Sequence, residues 1–217
     1  MQPAKAPAIR EAVPQDADFL AWVMLTAARS HLGRGWFDIA LNQSEDRCLE
    51  FLRALATTTV PSWWHYSRFL VAEVEGVKAA ALCAFPAAEA YPLSQAAMSE
   101  AAEALRIPAA EQAAIWRRGA YIFSCTMAGG ENGWTLENIA TLSAYRRRGL
   151  TTALIMRSIE RGRARGFAEA QITYLIGNDT AERAYRQAGF QLAGECRHPD
   201  FEAAAGAAGL RRVVRRL

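Results

Sequence analysis

The sequence predicts a single α/β domain, in which helices flank a mixed sheet, and three observations support this. The chain has 217 residues, a length that fits one domain with a full-sized core. Runs with strand and helix spacing follow one another in the order β-α-α-β-β, an insertion, then β-α-β-α-β-β. No internal repeat or low-complexity linker divides the chain. Residues 1–217 therefore form one predicted domain, with a flexible start at about residues 1–7.

The N-terminal part is predicted to contain a strand, two helices and a hairpin. Residues 8–13 form the strand, and a helix follows that ends near Ser30. Ser44 caps a second helix, which ends near Ala56. Glu75 and Gly76 form the turn of a hairpin between residues 67–74 and 77–85.

A long Ala-rich insertion follows at residues 86–132. Its first part, to Arg118, is predicted to be helical in two pieces that break at Pro108, because proline cannot continue a helix. Residues 121–126 are predicted to form an extra strand, and a glycine-rich turn at residues 129–133 ends the insertion.

The stretch after the insertion carries the strongest chemical signal. A central strand at residues 134–142 is followed by Arg146, Arg147, Arg148 and Gly149, and a helix begins at Leu150. The first turn of a helix leaves about four backbone N–H groups without intrahelical partners, and the helix dipole adds partial positive charge there. Such an end binds phosphate, and neighbouring arginines strengthen the attraction. The alternative is a solvated basic turn.

A second informative segment covers residues 170–192. Residues 171–176 are apolar and rich in β-formers, which predicts a buried strand. Asn178 then provides the N-cap of a helix, Gly189 ends that helix, and Phe190 opens another strand.

Together the two segments resemble the GNAT superfamily of acetyl-CoA-dependent N-acetyltransferases. The pyrophosphate loop of that family, Arg/Gln-x-x-Gly-x-Gly/Ala, is similar to Arg146, Gly149 and Thr151, with threonine in place of the last small residue. A second family motif is similar to Asn178, Tyr185, Gly189 and Phe190. These motifs occupy the C-terminal half, and the N-terminal half is similar in layout only.

The resemblance implies the fold and the co-substrate. The fold would be that of the acyl-CoA N-acyltransferases, with a mixed, mostly antiparallel sheet flanked by helices and splayed at the cofactor site. The co-substrate would be acetyl-CoA, with no metal. The residues implied to bind it are Ile139, Ala140, Thr141, Arg146, Arg147, Arg148, Gly149, Leu150, Thr151, Thr152 and Asn178.

Two residues are candidates for catalysis. Glu137 lies on a strand that is similar to the Leu-Glu-Asp/Asn strand of polyamine-type members, and it is the candidate base, directly or through a water. Strand alternation predicts that residues 135, 139 and 141 share its face. Tyr185 is the candidate acid for the departing thiolate, as the resemblance implies. The alternatives are a solvent-facing or ion-paired Glu137 and a tyrosine that only packs.

The acceptor is expected to be a primary amine of a small molecule or peptide. Its site is expected between the loop after the first helix, the insertion and the last hairpin. Trp36 and Phe37 are candidates for an aromatic wall, and Asp38 for a carboxylate that faces a cationic amine. Trp36 and Phe37 are equally interpretable as loop anchors. His198 and Asp200 are further candidate contacts, and a homodimer is compatible with families of this kind.

Composition excludes several function classes. No run approaches the length of about 18 apolar residues that a membrane span needs, and the start of the chain lacks the apolar core of a secretory signal. The 4 cysteines are widely spaced, which argues against zinc and favours a reducing compartment, so we expect a cytoplasmic protein. Two alternatives to the enzyme remain: a CoA-binding sensor or interaction module without turnover, and, with less support from a net charge of +3, a basic nucleic-acid-binding protein.

Overall fold

The computed structural model describes residues 7–217, and its centre is a seven-stranded sheet in the order β1-β2-β3-β4-β5-β7-β6. All neighbouring strands are antiparallel except β4 and β5, which run parallel. This confirms the predicted mixed, mostly antiparallel sheet. The strands are β1 Ala8–Glu11, β2 Phe69–Val74, β3 Val77–Pro86, β4 Trp134–Thr141, β5 Glu169–Leu175, β6 Gln191–Arg197 and β7 Gly209–Arg216.

Helices cover both faces of the sheet. They are α1 Ala17–Arg29, α2 Trp36–Leu41, α3 Glu45–Ala56, α4 Ala87–Ala90, α5 Ser94–Ala104, α6 Ala109–Gly119, α7 Leu150–Ala164, α8 Asp179–Gln187 and α9 Pro199–Ala205. Side chains of β3 alternate between the two apolar layers. Ala81, Cys83 and Phe85 pack with α1 and α3, whereas Ala80, Leu82 and Ala84 pack with α7, as the two-residue period of a strand requires.

The parallel pair β4–β5 diverges soon after it begins. Only Trp134 and Thr135 of β4 pair with β5, so the rest of β4 has no partner strand on that side. On its other side β4 carries a bulge, because Glu137 pairs with Cys83 while Ala140 pairs with Ala81. The bulge inserts one extra residue at Asn138, which adopts a positive φ of 48°.

The bulge corrects the predicted alternation along β4. Without it, residues 139 and 141 would share the face of Glu137. The extra residue reverses the alternation, so that Ala140 packs in the layer of α1 and Ile139 contacts the layer of α7. The prediction was wrong for residues 139 and 141 because a bulge shifts every later side chain by one position.

Several predicted elements are confirmed. The hairpin turns at Glu75 and Gly76, which both have positive φ, and the insertion is helical on both sides of Pro108, the N-cap residue of α6. Asn178 caps α8 through a hydrogen bond from the Ala181 amide at 3.0 Å.

Other predictions were wrong. Residues 121–126 do not form a strand, because Ala120–Cys125 is a 3-10 helix in which the Ser124 hydroxyl donates to the Tyr121 carbonyl at 2.7 Å. The short helices α2 and α9 replace predicted loops. Strand β7 comes last in the chain but lies between β5 and β6 in the sheet.

The expected flexible start falls almost wholly on residues 1–6, outside the described residues. Within residues 7–217, the helices are all too short or too polar to cross a membrane.

Candidate active site

A cleft of about 1830 Å³ opens where β4 and β5 diverge. Its walls come from the end of β4, the first turn of α7, helix α8, the segment before α2 and the insertion. Most of the predicted site residues line it: Trp36, Phe37, Glu137, Ile139, Ala140, Thr141, Arg146, Arg147, Gly149, Leu150, Thr151, Thr152, Asn178 and Tyr185. The two exceptions are Arg148 and Asp38.

The turn before α7 presents a row of unused backbone donors. Within the described part of the chain, the amides of residues 147–152 have no hydrogen-bond acceptor, and the first bonded amide of the helix is that of Ala153. Arg147 and Gly149 have positive φ values of 61° and 76°. Left-handed residues in a short turn help to direct neighbouring amides toward one side, where they can bind an anion. The dipole of α7 adds to the attraction.

Side chains fix this turn to the sheet. The hydroxyl groups of Thr141 and Thr151 are 3.2 Å apart and join the end of β4 to the first turn of α7. Leu150 is buried beneath the turn at 2% exposure. Arg148, which is not part of the cleft lining, stacks on the Tyr145 ring at 5.0 Å from its centroid.

Glu137 lies inside the cleft and has an unusual environment. Burial raises the pKa of its carboxyl group to about 7, although a hydrogen bond from the Tyr91 hydroxyl opposes the rise. No ion pair with Glu137 exists among residues 7–217. A carboxyl group with a pKa near neutrality and no fixed counterion exchanges protons readily, as a general base must.

Tyr91 was not predicted from the sequence. It lies after α4 in the insertion, where its ring makes edge contacts with Trp63 and Phe85 at centroid distances of 5.7 and 5.1 Å. Burial and the neighbouring Glu137 carboxylate raise the pKa of Tyr91 well above its ordinary value, so its hydroxyl remains a donor at neutral pH. The local sequence gave no signal, because 46 residues separate Tyr91 from Glu137.

Tyr185 projects from α8 into the same cleft. It is 8% exposed, and its ring meets Tyr174 edge-on with centroids 5.5 Å apart. Burial, with smaller contributions from Tyr174 and Glu137, raises its pKa. Its hydroxyl has no hydrogen-bond partner among the described residues, so the proton is free to be donated to a bound molecule.

Asn178 has a structural role in addition to its predicted binding role. Its Oδ1 accepts from the Ala181 amide at 3.0 Å, and its Nδ2 donates to the Ser30 hydroxyl at 2.6 Å. The side chain therefore joins the start of α8 to the end of α1 across the cleft.

The predicted acceptor residues are only partly in position. Trp36 and Phe37 belong to α2, and Trp36 Nε1 donates to the Gly119 carbonyl at 3.0 Å. Asp38 instead accepts from Arg29 at 2.7 Å and from the Gly35 amide at 2.8 Å. Although burial opposes it, these hydrogen bonds lower the pKa of Asp38. The expectation that Asp38 faces an acceptor was wrong, because the carboxylate already holds α1 against α2.

The two residues suggested near the last hairpin also lie elsewhere. His198 is the N-cap residue of α9, and its Nδ1 accepts from the Asp200 amide at 3.2 Å. Neither residue is among those that line the cleft.

Comparison with known proteins identifies the family. The sequence profile of the acetyltransferase (GNAT) family matches residues 39–190, and a search of curated protein sequences finds no match. The fold matches an N-acetyltransferase from Staphylococcus aureus Mu50 with a TM-score of 0.71 at 20% identity, over 96% of this chain and 100% of that one.

Two further structures share the fold. A polyamine N-acetyltransferase from Drosophila melanogaster, which catalyses the formation of N-acetylagmatine, has a TM-score of 0.56 at 18% identity over 97% of this chain and 100% of that one. A putative acetyltransferase from Salmonella typhimurium, solved with its cofactor acetyl-CoA, has a TM-score of 0.54 at 16% identity over 98% and 95%. With most of its length matched by the family profile, the chain belongs to the GNAT acetyltransferase family and is an acyltransferase.

Proposed function

We propose that the protein transfers an acetyl group from acetyl-CoA to a primary amine that binds beside it in the cleft. One observation carries this proposal: the unused amides of residues 147–152 open into the same cleft as Glu137, whose pKa is about 7. The amides suit a diphosphate, and the carboxyl group suits removal of a proton from an ammonium group.

The residues of the turn fit the diphosphate of acetyl-CoA. Six consecutive amides without acceptors, residues 147–152, match a group rich in acceptor oxygens, and Arg146 and Arg147 add positive charge. The unpaired edge of β4 after Thr135 offers backbone groups to the pantetheine arm. The relative that was solved with acetyl-CoA supports this co-substrate.

Bound acetyl-CoA would supply the thioester whose carbonyl carbon the amine attacks, so that a C–N bond forms and the C–S bond breaks. Glu137 accepts the proton that the ammonium group must lose, directly or through a water. Tyr185 donates its proton to the departing thiolate. The unpaired backbone of β4 stabilises the developing oxyanion, and one such donor contributes about 3 kcal/mol.

The alternatives have less support. A CoA-binding module without turnover has no need of a carboxyl group with a pKa near 7 or of an unpartnered tyrosine hydroxyl in the same cleft. A nucleic-acid-binding surface needs free cations, and the basic cluster of β7 is partly neutralised, because Arg211 pairs with Glu195 and Glu182 and Arg215 donates to the Ala188 carbonyl. The four unpaired cysteines support a reducing compartment such as the cytoplasm.

Incubation of the purified protein with acetyl-CoA and a library of amines, followed by mass spectrometry, tests the proposal. We expect acetylated amine and free CoA in equal amounts. The variant Tyr185→Phe should turn over about 100-fold more slowly because it lacks the acid, with unchanged affinity for acetyl-CoA. Wild-type turnover by Tyr185→Phe would show that the acid is assigned wrongly, and the absence of any acetylated amine would contradict the enzyme.

A further inference from the structure

Arg212 is a cation in the cleft that forms no ion pair within residues 7–217. It lies on β7 opposite Thr173 of β5 and lines the cleft. Among residues 7–217, no side chain or carbonyl group accepts a hydrogen bond from Arg212, and its Nε is fully buried without a partner. Its neighbour Arg211 points to the other face and makes ion pairs with Glu182 and Glu195 at 2.8 and 2.6 Å. The contrast indicates that the missing partner of Arg212 comes from outside the protein.

The surroundings of Arg212 fix its position. A Cβ on Gly130 would lie 2.8 Å from Arg212 Nη1 and 2.5 Å from Gln171 Oε1, so the ends of both side chains lie directly against the glycine turn. Gln171 is 5% exposed, and its Nε2 donates to the Gly130 carbonyl at 2.6 Å and to Thr135 Oγ1 at 2.8 Å. Its Oε1 is buried without a partner. The guanidinium group is therefore held between a glycine turn and an ordered amide.

The cleft contains few acidic side chains that could balance the positive charge of Arg212. Of the residues that line it, only Glu131 and Glu137 are acidic. Glu131 is exposed, and its carboxylate accepts from the amides of Gly129 and Gly130 at 3.2 and 2.9 Å. These amide hydrogen bonds, and to a smaller extent the charge of Arg212, lower the pKa of Glu131. The two side chains form no ion pair, so the hydrogen-bond donors of Arg212 stay unused among residues 7–217. Arg34 and His31 add further basic groups to the wall.

Arg212 and Glu137 lie on the same side of the sheet with β5 between them. Glu137 and Thr135 share a face of β4, and Gln171 links Thr135 to the Arg212 side of β5. Paired neighbouring strands are about 4.8 Å apart. Because β4 and β5 diverge after Thr135, the backbones of β4 and β7 are more than roughly 10 Å apart at the level of Glu137 and Arg212. A molecule that contacts both Arg212 and Glu137 therefore needs several bonds between its two binding groups.

We propose, building on the function proposed above, that the acceptor is an amine that carries a carboxylate several bonds from its nitrogen, and that Arg212 binds this carboxylate. The planar guanidinium group matches a carboxylate with two parallel hydrogen bonds. The amine end then lies toward Glu137. A diamine places a second cation against Arg212 and is disfavoured.

Equilibrium binding tests this inference without any need for turnover. The probes are ε-aminocaproate, hexamethylenediamine and hexylamine, which share an amine and an alkyl chain and differ at the far end. Calorimetry is performed with and without CoA. We expect ε-aminocaproate to bind at least about tenfold more tightly than either of the other two, as an ion-paired carboxylate allows.

Two arginine variants of β7 provide the comparison. Arg212→Gln should remove the preference for ε-aminocaproate and leave the affinity for hexylamine within about twofold. Arg216→Gln, at an exposed position of the same strand, should keep the wild-type preference. Equal binding of the three probes by the wild type, tighter binding of the diamine, or an equal loss for all probes in Arg212→Gln would overturn the inference.

Acetylation of the same probes separates this inference from the proposed function. If all three amines are acetylated at similar rates, the function stands and the role of Arg212 is refuted. If acetyl-CoA does not bind and no amine is acetylated, the proposed function fails, while a carboxylate preference that depends on Arg212 in the binding experiment would still support the anion site.

Discussion

The two ends of the cleft are built in different ways. The part proposed to bind the diphosphate consists of consecutive backbone amides, residues 147–152, in one short turn. The part proposed to bind the acceptor consists of side chains from distant segments, such as Trp36 of α2, Tyr91 of the insertion and Arg212 of β7. Glu137 lies on the strand that connects the two ends. A site made from backbone is sensitive to conformation, whereas a site made from side chains is sensitive to the identity of each residue.

This difference suits the two ligands. Every acetyl-CoA molecule presents the same diphosphate, so under the proposed function fixed backbone donors would bind it whatever the acceptor is. The proposed acceptor part is formed by the insertion and by sheet side chains, and we expect their replacement to change specificity without disturbing the turn. Substitutions at the two ends should therefore affect different kinetic constants, and the following predictions test that separation.

The largest effect is expected for Glu137→Gln. Because a general base typically contributes 10²–10⁴-fold, kcat should fall by about 10³-fold, while the affinity for acetyl-CoA should stay within about twofold. In the wild type, kcat/KM should fall about tenfold per pH unit below about 7, as Glu137 gains its proton. Steady-state kinetics from pH 5 to 9 measures both effects. An unchanged acidic limb in the variant would exclude Glu137 as the base.

A smaller effect, confined to the cofactor, is expected for Gly149→Ala. Gly149 has a φ of 76°, a conformation that costs a residue with a Cβ about 1–2 kcal/mol. Relief of this strain rotates the unused amides, so we expect about tenfold weaker binding of acetyl-CoA with little change in acceptor KM. Calorimetry gives the affinity.

Gly166→Ala is the matched control. Gly166 lies beyond the other end of α7 with a φ of 82°, and open space surrounds its Cβ position as it does at Gly149. Both variants should lose similar thermal stability, but Gly166→Ala should keep the wild-type affinity. Equal affinity in the two variants would contradict the role of the turn.

Tyr91→Phe should have a moderate effect on the acidic limb of the pH–rate profile. The Tyr91 hydroxyl donates to the Glu137 carboxylate and stabilises its charged form. Without it, the pKa of Glu137 should rise above 7, and kcat at neutral pH should fall by roughly fivefold. Tyr66→Phe is the control, because the Tyr66 ring packs on His65 and on the core and its hydroxyl makes no hydrogen bond within residues 7–217. If the acidic limb of the pH–rate profile does not shift in Tyr91→Phe, the hydrogen bond between Tyr91 and Glu137 does not control the pKa of Glu137.

Asp38→Asn should leave the kinetic constants unchanged, because the carboxylate holds α1 against α2. We expect a loss of about 1–3 kcal/mol in the free energy of unfolding at neutral pH. The pKa of Asp38 is lowered in the folded protein, so its contribution is present above the ordinary value of 3.8 and is lost as the pH falls below it. Denaturant titrations of both proteins at pH 7 and pH 3 measure this, and a raised KM for the acceptor would contradict it.

The sequence predicts the backbone-built end well, because its signals are local. A glycine before a helix start, an N-cap asparagine and the order of strands all act over a few residues, and the structure has Gly149, Asn178 and the sheet where they were expected. Thr151, which departs from the family motif, bonds to Thr141 and fixes the turn.

The side-chain-built end could not be predicted in the same way. Tyr91 meets Glu137 across 46 residues, and no local pattern announces such a contact. The sequence around Asn138 looks like a regular strand. The bulge there is a feature of the pairing between β4 and β3, so the sequence of β4 alone does not predict it. Asp38 was wrongly expected to face the acceptor. Its carboxylate forms an ion pair with Arg29, and the two residues meet only because α1 packs against α2.

Calorimetric titration of the wild type and Glu137→Gln with acetyl-CoA tests the central claim most directly. We expect one binding site of equal affinity in both proteins, with acetyl transfer to amines in the wild type alone. Absence of binding heat in the wild type, or loss of binding in Glu137→Gln, would contradict the claim that backbone amides bind the cofactor while Glu137 acts on the amine.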